Sequence, residues 1–399
     1  MAYVLIVILA GLCVLWIAIA AYLSWALKRL PRFEHEIAPE PERWPPLSVI
    51  VPACNEAAHL ESAMRTIMAQ NYPELELILV DDRSKDGTGA VIDRLARQDA
   101  RVTAIHIDKL PHRWLGKVHA LHCGVERANG KWILFTDADV HFAPTTLRRA
   151  IAYVTNQQAD HLALIPRSIQ SGFWLDVAVR TFALLFLLGT RVATINRPGS
   201  TAVVGIGAFN LVKAATLSRT AGLEWLKLEP ADDVGLGMMI NRAGGITRLA
   251  LAEQDLSVEW YSSLTAMFRG LEKNLFGAAC DYRWWRLVAQ VIAIVALVIA
   301  PWLLIGVGSV KGSVGLSVIG AVAIGAHIWF ALASSNGRRR EALSLVLFPA
   351  GLLLIAAMLW RAGYKCLKKN GIDWRGTHYP LAQLRVGQRV KLMTILGRK

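Results

Sequence analysis

Three pairs of carboxylates carry the chemistry that this sequence can do. Residues 131–142 read KWILFTDADVHF. The apolar run 132–135 reads as a buried strand, and it ends in Thr136-Asp137-Ala138-Asp139. Side chains at i and i+2 share a face if the strand persists. Asp137 and Asp139 then stand together at the carboxyl rim of a sheet, where ligands of open α/β sheets bind. Two anionic oxygens on one face repel each other unless a cation sits between them. Carboxylates suit a hard ion such as Mg2+ or Mn2+, which commonly also holds substrate phosphates. Asp81-Asp82 ends a second apolar run, and Asp232-Asp233 opens a helical pattern at 234–241. Each pair alone also reads as a turn or a helix N-cap; three in this order, after VIVPACNE at 49–56, are much harder to obtain by chance.

The elements around these pairs alternate. The pattern predicts strands at 48–52, 75–80, 102–107, 132–135 and 162–165, and helices at 59–69, 87–100, 117–128 and 144–154. Strands alternating with helices argue for an α/β domain, a mostly parallel Rossmann-like sheet with helices on both faces. No GxGxxG follows the first strand, so the dinucleotide fingerprint is absent.

The rest of the chain points to a bilayer. It is 54% hydrophobic with a mean hydropathy of +0.38, too apolar for an ordinary soluble protein. Residues 1–28 are long enough to span a membrane and lack a cleavage site, which predicts a retained anchor. Lys28, Arg29 and Arg32 follow it and place the next segment in the cytosol. Residues 29–46 read as a linker, 47–286 as the cytosolic domain, 287–360 as a carboxyl-terminal membrane region with runs at 287–310, 314–333 and 342–360, and 361–399 as a basic tail. Near 173–192 an apolar stretch carries Asp176, Arg180 and Arg191; it reads as a helix lying in the interface or in the domain core. Three carboxyl-terminal crossings would put the basic tail outside, against the positive-inside rule; either one run lies in the membrane plane or the rule fails here, and the tail is expected in the cytosol. The net charge of +14 crowds beside apolar runs, which argues for membrane surface rather than nucleic acid. Five scattered cysteines imply neither a zinc site nor a disulfide framework.

Taken as an ordered set, VIVPACNE, LVDDRSKDGT (79–88), WLGKVHAL (114–121), FTDADV (135–140), GIGAFNLV (205–212) and EPADDVGLG (229–237) resemble family 2 glycosyltransferases of the GT-A fold. WLGK with an embedded carboxyl half is most similar to the lipid-acceptor branch, which includes ceramide glucosyltransferases and hopanoid-associated glycosyltransferases. WRGTHY at 374–379 resembles the ending of some bacterial members.

The resemblance implies a nucleotide-sugar donor, usually a UDP-sugar, a divalent metal, inversion at the anomeric carbon and a membrane-lipid acceptor. Asp82, with Asp81, would accept hydrogen bonds from the nucleoside. Asp139 and Asp137 would hold the metal, Lys117 would add charge on the phosphates, and Glu56 would touch the nucleoside or cap a helix. Asp233 would be the general base, with Asp232 beside it. The (Q/R)xxRW motif of processive and ceramide-type relatives is missing; Arg269 and Lys273, four apart on one predicted helical face, stand in its place. Alternative readings are a polyprenyl-phosphate sugar transferase, a short polysaccharide synthase, and a non-catalytic nucleotide-sugar sensor. The expected location is the inner (plasma) membrane, multi-pass, with the domain cytosolic.

Overall fold

The structure, a computed structural model, describes residues 2–335 and 337–391. Helix α1 (Ala2–Arg29) is followed by β1 (Leu47–Ala53), α2 (Leu60–Met68), β2 (Leu75–Asp82), α3 (Thr88–Gln98), β3 (Val102–Ile107), α4 (Gly116–Arg127), β4 (Trp132–Phe135), β5 (His141–Phe142), α5 (Thr146–Asn156), β6 (His161–Ser168), α6 (Phe173–Gly189), β7 (Asn210–Lys213), α7 (Ala214–Leu217), α8 (Asp232–Arg242) and β8 (Thr247–Val258). The carboxyl half holds α9 (Leu264–Gly270), α10 (Leu275–Cys280), α11 (Trp284–Val310), α12 (Val314–Ser334), α13 (Arg339–Val346), α14 (Phe348–Lys368), β9 (Gly371–Trp374), β10 (Thr377–Pro380) and α15 (Leu381–Gly387).

Among the described residues the large sheet has eight strands in the order β3-β2-β1-β4-β7-β6-β8-β5. Strands β3, β2, β1 and β4 are mutually parallel, as the alternating pattern predicts. Every residue of β1 is buried, because helices cover both faces of a parallel sheet. Val49 and Val51 face α2, α3 and α5, while Ile50 faces α4. Beyond β4 the sheet turns mixed: β7 runs antiparallel to both β4 and β6. That reversal is functional. The start of an antiparallel strand lies beside the end of its neighbour, so the glycine-rich segment before β7 reaches the rim where β4 ends.

The expected linker at 29–46 is packed rather than loose. Phe33 is fully buried, Trp44 meets Tyr72 edge-on, and the Tyr72 hydroxyl donates to the Pro45 carbonyl at 2.6 Å. Among the described residues, four helices are long and apolar enough to cross a membrane: α1 from Tyr3, α11, α12 and α14. Helices α1, α11 and α12 pack on one another. Helix α14 behaves differently. The expected run 342–360 breaks at Leu347, where Pro349 sits in the first turn of α14, and the helix continues to Lys368. It runs along the domain. Gly351 abuts Thr181 of α6, Ile355 and Met358 pack with Leu175 and Met267, and Ala362 and Cys366 enter the core beneath α4. Helix α6, at the expected interfacial position, is clamped between these parts: buried Asp176 accepts from Arg180 and from the Ser344 hydroxyl of α13.

The tail is not an appendage. Its described part pairs β9 with β10, and Ile372, Tyr379, Leu381 and Leu384 complete the same core. Residues 392–399 lie outside the described residues.

Candidate active site

Lys117 is the hub. It sits in the first turn of α4, and its ammonium lies 2.8 Å from Asp137 Oδ1 and 3.5 Å from Asp232 Oδ2. One cation therefore ties the acidic rim of β4 to the acidic start of α8. Lys117, Asp137, Gly207, Asn210, Asp232 and Asp233 line one cavity. The Gly207 N–H donates to Asp233 Oδ2 at 3.1 Å, and the Val234 N–H to Oδ1 at 2.8 Å. Two glycines make this closeness possible. A Cβ on Gly205 would come within 1.7 Å of the Asp233 carbonyl oxygen, and one on Gly207 within 2.7 Å of Asp137 Oδ2. Asn210 is fixed in turn. Its Oδ1 accepts from Nε2 of fully buried His161 at 2.5 Å, so its amide can donate to the Asp233 carbonyl at 3.3 Å.

The charges are distributed unevenly. Burial opposes ionisation of Asp137, but Lys117 overrides it and holds the carboxyl below its usual value. Burial also opposes the Lys117 ammonium, yet Asp137, Asp232 and Asp233 keep its pKa raised. Asp139 is pushed up to about 7 by burial and by its neighbours Asp137 and Glu56. Asp233 is raised, to about 6, by burial and by Asp232. Among the described residues no three His, Cys, Asp or Glu side chains converge as a metal cage. Asp137 and Asp139 nevertheless lie within electrostatic reach of each other, with Glu56 adding to the charge around Asp139. Oxygen donors of this kind are those a hard divalent cation takes, with its remaining ligands drawn from phosphate and water.

Asp81 and Asp82 sit at the end of β2, outside the lining of that cavity. Asp82 is buried against Arg83 Nε at 2.7 Å, and Asp81 accepts from the Ser84 N–H at 3.1 Å. The expected helix through 269–273 is interrupted: α9 stops at Gly270, and a 3-10 turn, Leu271–Lys273, carries the lysine. Arg269 and Lys273 still line a second cavity of about 150 Å³ with Lys365 and Lys369 of α14. The Lys273 ammonium lies 4.4 Å from the Trp374 ring centroid. Burial, with Lys117 and Arg375 nearby, pushes it down to about 8.

The sequence left the tail out of the site. The structure puts it there. Arg375 pairs with Glu56 at 3.1 Å, and Arg83 donates to the Thr377 hydroxyl at 3.3 Å. Farther along, the Arg389 and Val390 N–H groups donate to Glu229 Oε2 at 2.6 and 2.8 Å. Glu229 Oε1 accepts from Ala231, the residue before Asp232. One tail thus touches the β1 rim and the approach to α8. Only the WRGTHY resemblance could have signalled this; Asn210 lies within the GIGAFNLV stretch, whereas His161 had no local signal.

Residues 48–219 match the family model described as glycosyl transferase family 2. Among curated proteins, the chain is 34% identical over 95 residues to a GalNAc(5)-diNAcBac-PP-undecaprenol beta-1,3-glucosyltransferase of Campylobacter jejuni, covering 24% of this chain and 30% of that protein. It is 31% identical over 114 residues to glycosyltransferase GlyG of Streptococcus pneumoniae, covering 29% and 36%. It is 29% identical over 182 residues to 4,4'-diaponeurosporenoate glycosyltransferase of Staphylococcus aureus, covering 44% and 46%. The chain thus spans less than half the length of these relatives. Among solved structures, a mannosyltransferase from Pyrobaculum calidifontis in complex with GDP-Man and Mn2+ superposes with a TM-score of 0.53 at 20% identity, covering 88% of this chain and 98% of that one. The likeness extends to the fold, the GT-A arrangement of curled mixed sheet and helices.

Proposed function

Starting from a chain that carries a family 2 glycosyltransferase domain over residues 48–219, we propose that it moves a single sugar, with inversion, from a nucleotide-sugar, in our reading a UDP-sugar, to a hydroxyl of a membrane lipid. The observation that carries this reading is the cavity in which Lys117 joins Asp137 to Asp232 while Asp233 faces the same space. Asp233, anchored by the Gly207 and Val234 N–H groups, keeps lone pairs free to take the acceptor hydroxyl's proton. The acceptor oxygen then bonds to the anomeric carbon as the bond to the diphosphate oxygen breaks, and a nucleoside diphosphate leaves. A divalent ion held by Asp139 and Asp137, when bound, neutralises the charge that builds on that diphosphate. Lys117 keeps Asp137 ionised and holds the two rims together. Asp81 and Asp82 face the nucleoside in this reading.

The acceptor enters from the bilayer. Helices α1, α11 and α12 cross it, whereas α14 and α6 lie against the domain at its surface. That count puts Arg338–Arg340 and the tail on the cytosolic side with the domain, of a piece with the positive-inside rule and with the Arg375–Glu56 contact. Relatives whose names carry undecaprenol diphosphate and diaponeurosporenoate support a lipid-borne acceptor. The test is purified protein with a UDP-sugar panel, Mn2+ or Mg2+ and extracted lipid. Sugar transfer that Asp139→Ala and Asp233→Asn abolish supports the reading; no transfer and no donor hydrolysis contradicts it.

A second reading is favoured by the cavity that Arg269, Lys273, Lys365 and Lys369 line. Lys365 and Lys369 pair there with Glu272 and Asp373, which line the same cavity, so Arg269 and Lys273 are the cations left to meet an anionic acceptor such as a polyprenyl phosphate. A phosphate acceptor needs little base help, so Asp233→Asn would then be mild while Asp139→Ala stays severe.

A further inference from the structure

The hairpin β9–β10 turns through two residues, Arg375 and Gly376, because Trp374 pairs with Thr377. Both loop residues have left-handed backbone, with φ of 49° and 78°. Two-residue turns of this kind favour Asn, Asp or Gly at the first position: Gly has no Cβ and the short Asn and Asp side chains hydrogen-bond the local backbone, whereas other residues bear the contact of Cβ with the following carbonyl oxygen. An arginine there costs stability, and such strain concentrates at functional positions. The hairpin cannot swing freely to relieve it: Ile372 and Tyr379 are buried in the core beneath α4. The guanidinium is thereby delivered to Glu56, 319 positions earlier in the chain, at 3.1 Å.

The surroundings show what that cation is for. Glu56 and Asp139 crowd each other, and Lys117 is already committed to Asp137 and Asp232. Lys273 is held over the Trp374 ring, and no carboxylate lies within ion-pair distance of it among the described residues. The same turn therefore presents one cation directly and steadies a second through its neighbour. Arg375 reaches Glu56 beside the acidic rim of β4, and the charges of both cations are felt by Asp137. We propose that the tail hairpin is part of the donor site and that Arg375 binds the donor's diphosphate, leaving Glu56 when the ligand arrives. The planar fork of a guanidinium matches phosphate oxygens two at a time. The inference rests on the nucleotide-sugar reading above.

The test is calorimetric titration of the full-length protein with UDP and with uridine, in the presence of Mn2+. Arg375→Asn is the variant of choice, since Asn suits a left-handed turn residue and lacks the cation. Its melting temperature should equal or exceed that of the parent. Its affinity for UDP should fall about 10-fold to 100-fold, the loss of one or two charge-assisted hydrogen bonds, while uridine binding stays within about twofold. Arg375→Lys should recover part of the loss. Unchanged UDP affinity in Arg375→Asn overturns the inference alone, as does an equal fall for UDP and uridine, which would mark a merely structural turn. If the parent binds UDP no better than uridine, the inference falls together with the reading it rests on.

Discussion

The rim of β4 and the first turn of α8 each carry a pair of aspartates and share one cation, yet the two pairs sit in different settings. At β4, Asp137 is matched by Lys117, while Asp139 is left against Asp137 and Glu56 and rises to about 7. Arg375 pairs with Glu56 and Lys117 offsets part of that crowding, yet the Asp139 carboxyl stays raised. At α8, Asp232 shares Lys117, and Asp233 has both oxygens engaged by backbone N–H groups. It is oriented by the fold, and burial with Asp232 raises it to about 6, near the range in which a carboxylate works as a base. Identical carboxylates thus sit in two settings, one pair crowded at a strand rim and the other with Asp233 held by backbone N–H groups, and the proposed function assigns them two roles.

The comparison can be broken at either end. Asp139→Ala, or chelation of divalent ions, should have the largest effect, lowering transfer by about 1000-fold or more and weakening UDP binding as well; steady-state transfer with and without added Mn2+ checks it. The pH profile comes next. Asp233 must be ionised to accept a proton, so kcat/KM should fall about tenfold for each unit below pH 6 and level off above it. Lys117→Met removes the shared cation. It should cost about 30-fold in kcat/KM and move the acidic limb to higher pH, because both carboxylate pairs lose the charge that favours ionisation. A limb that stays in place would show that Lys117 does not couple the two rims.

The smallest effect belongs to Glu229→Gln. The amide cannot accept from Ala231, Arg389 and Val390 at once, so the tail should loosen by about 1–3 kcal/mol. Thermal unfolding should register several degrees, and kcat should change less than about threefold.

What the sequence disclosed follows the same physical division. Strands β1 to β4 are short, continuous apolar runs because both faces of a parallel sheet are covered, and their acidic ends mark the rim. Strand β8 was hidden: Arg248, Glu253, Gln254 and Asp255 interrupt it, and Asp255 is buried only because Arg149 meets it. Strand β7 is four residues behind a glycine-rich segment and has no pattern to read. The tail was the largest omission. Its elements are short, two four-residue strands and a seven-residue helix that buries Leu381 and Leu384, and its partners lie hundreds of positions earlier. The break at Leu347 was legible in Pro349, but hydropathy averaged over 342–360 masked it. Lys117, Asp137, Asp232 and Asp233 line one cavity because each stands at the end of an element whose position the sheet dictates.

The most direct test of the two-role account is calorimetric titration of UDP with Mn2+ into Asp233→Asn, run beside a turnover assay on the same sample. The account predicts parent-like UDP affinity, within about twofold, with transfer lost. Transfer at the parent rate, or UDP affinity lost along with it, would contradict the assignment of proton acceptance to α8 and diphosphate binding to β4.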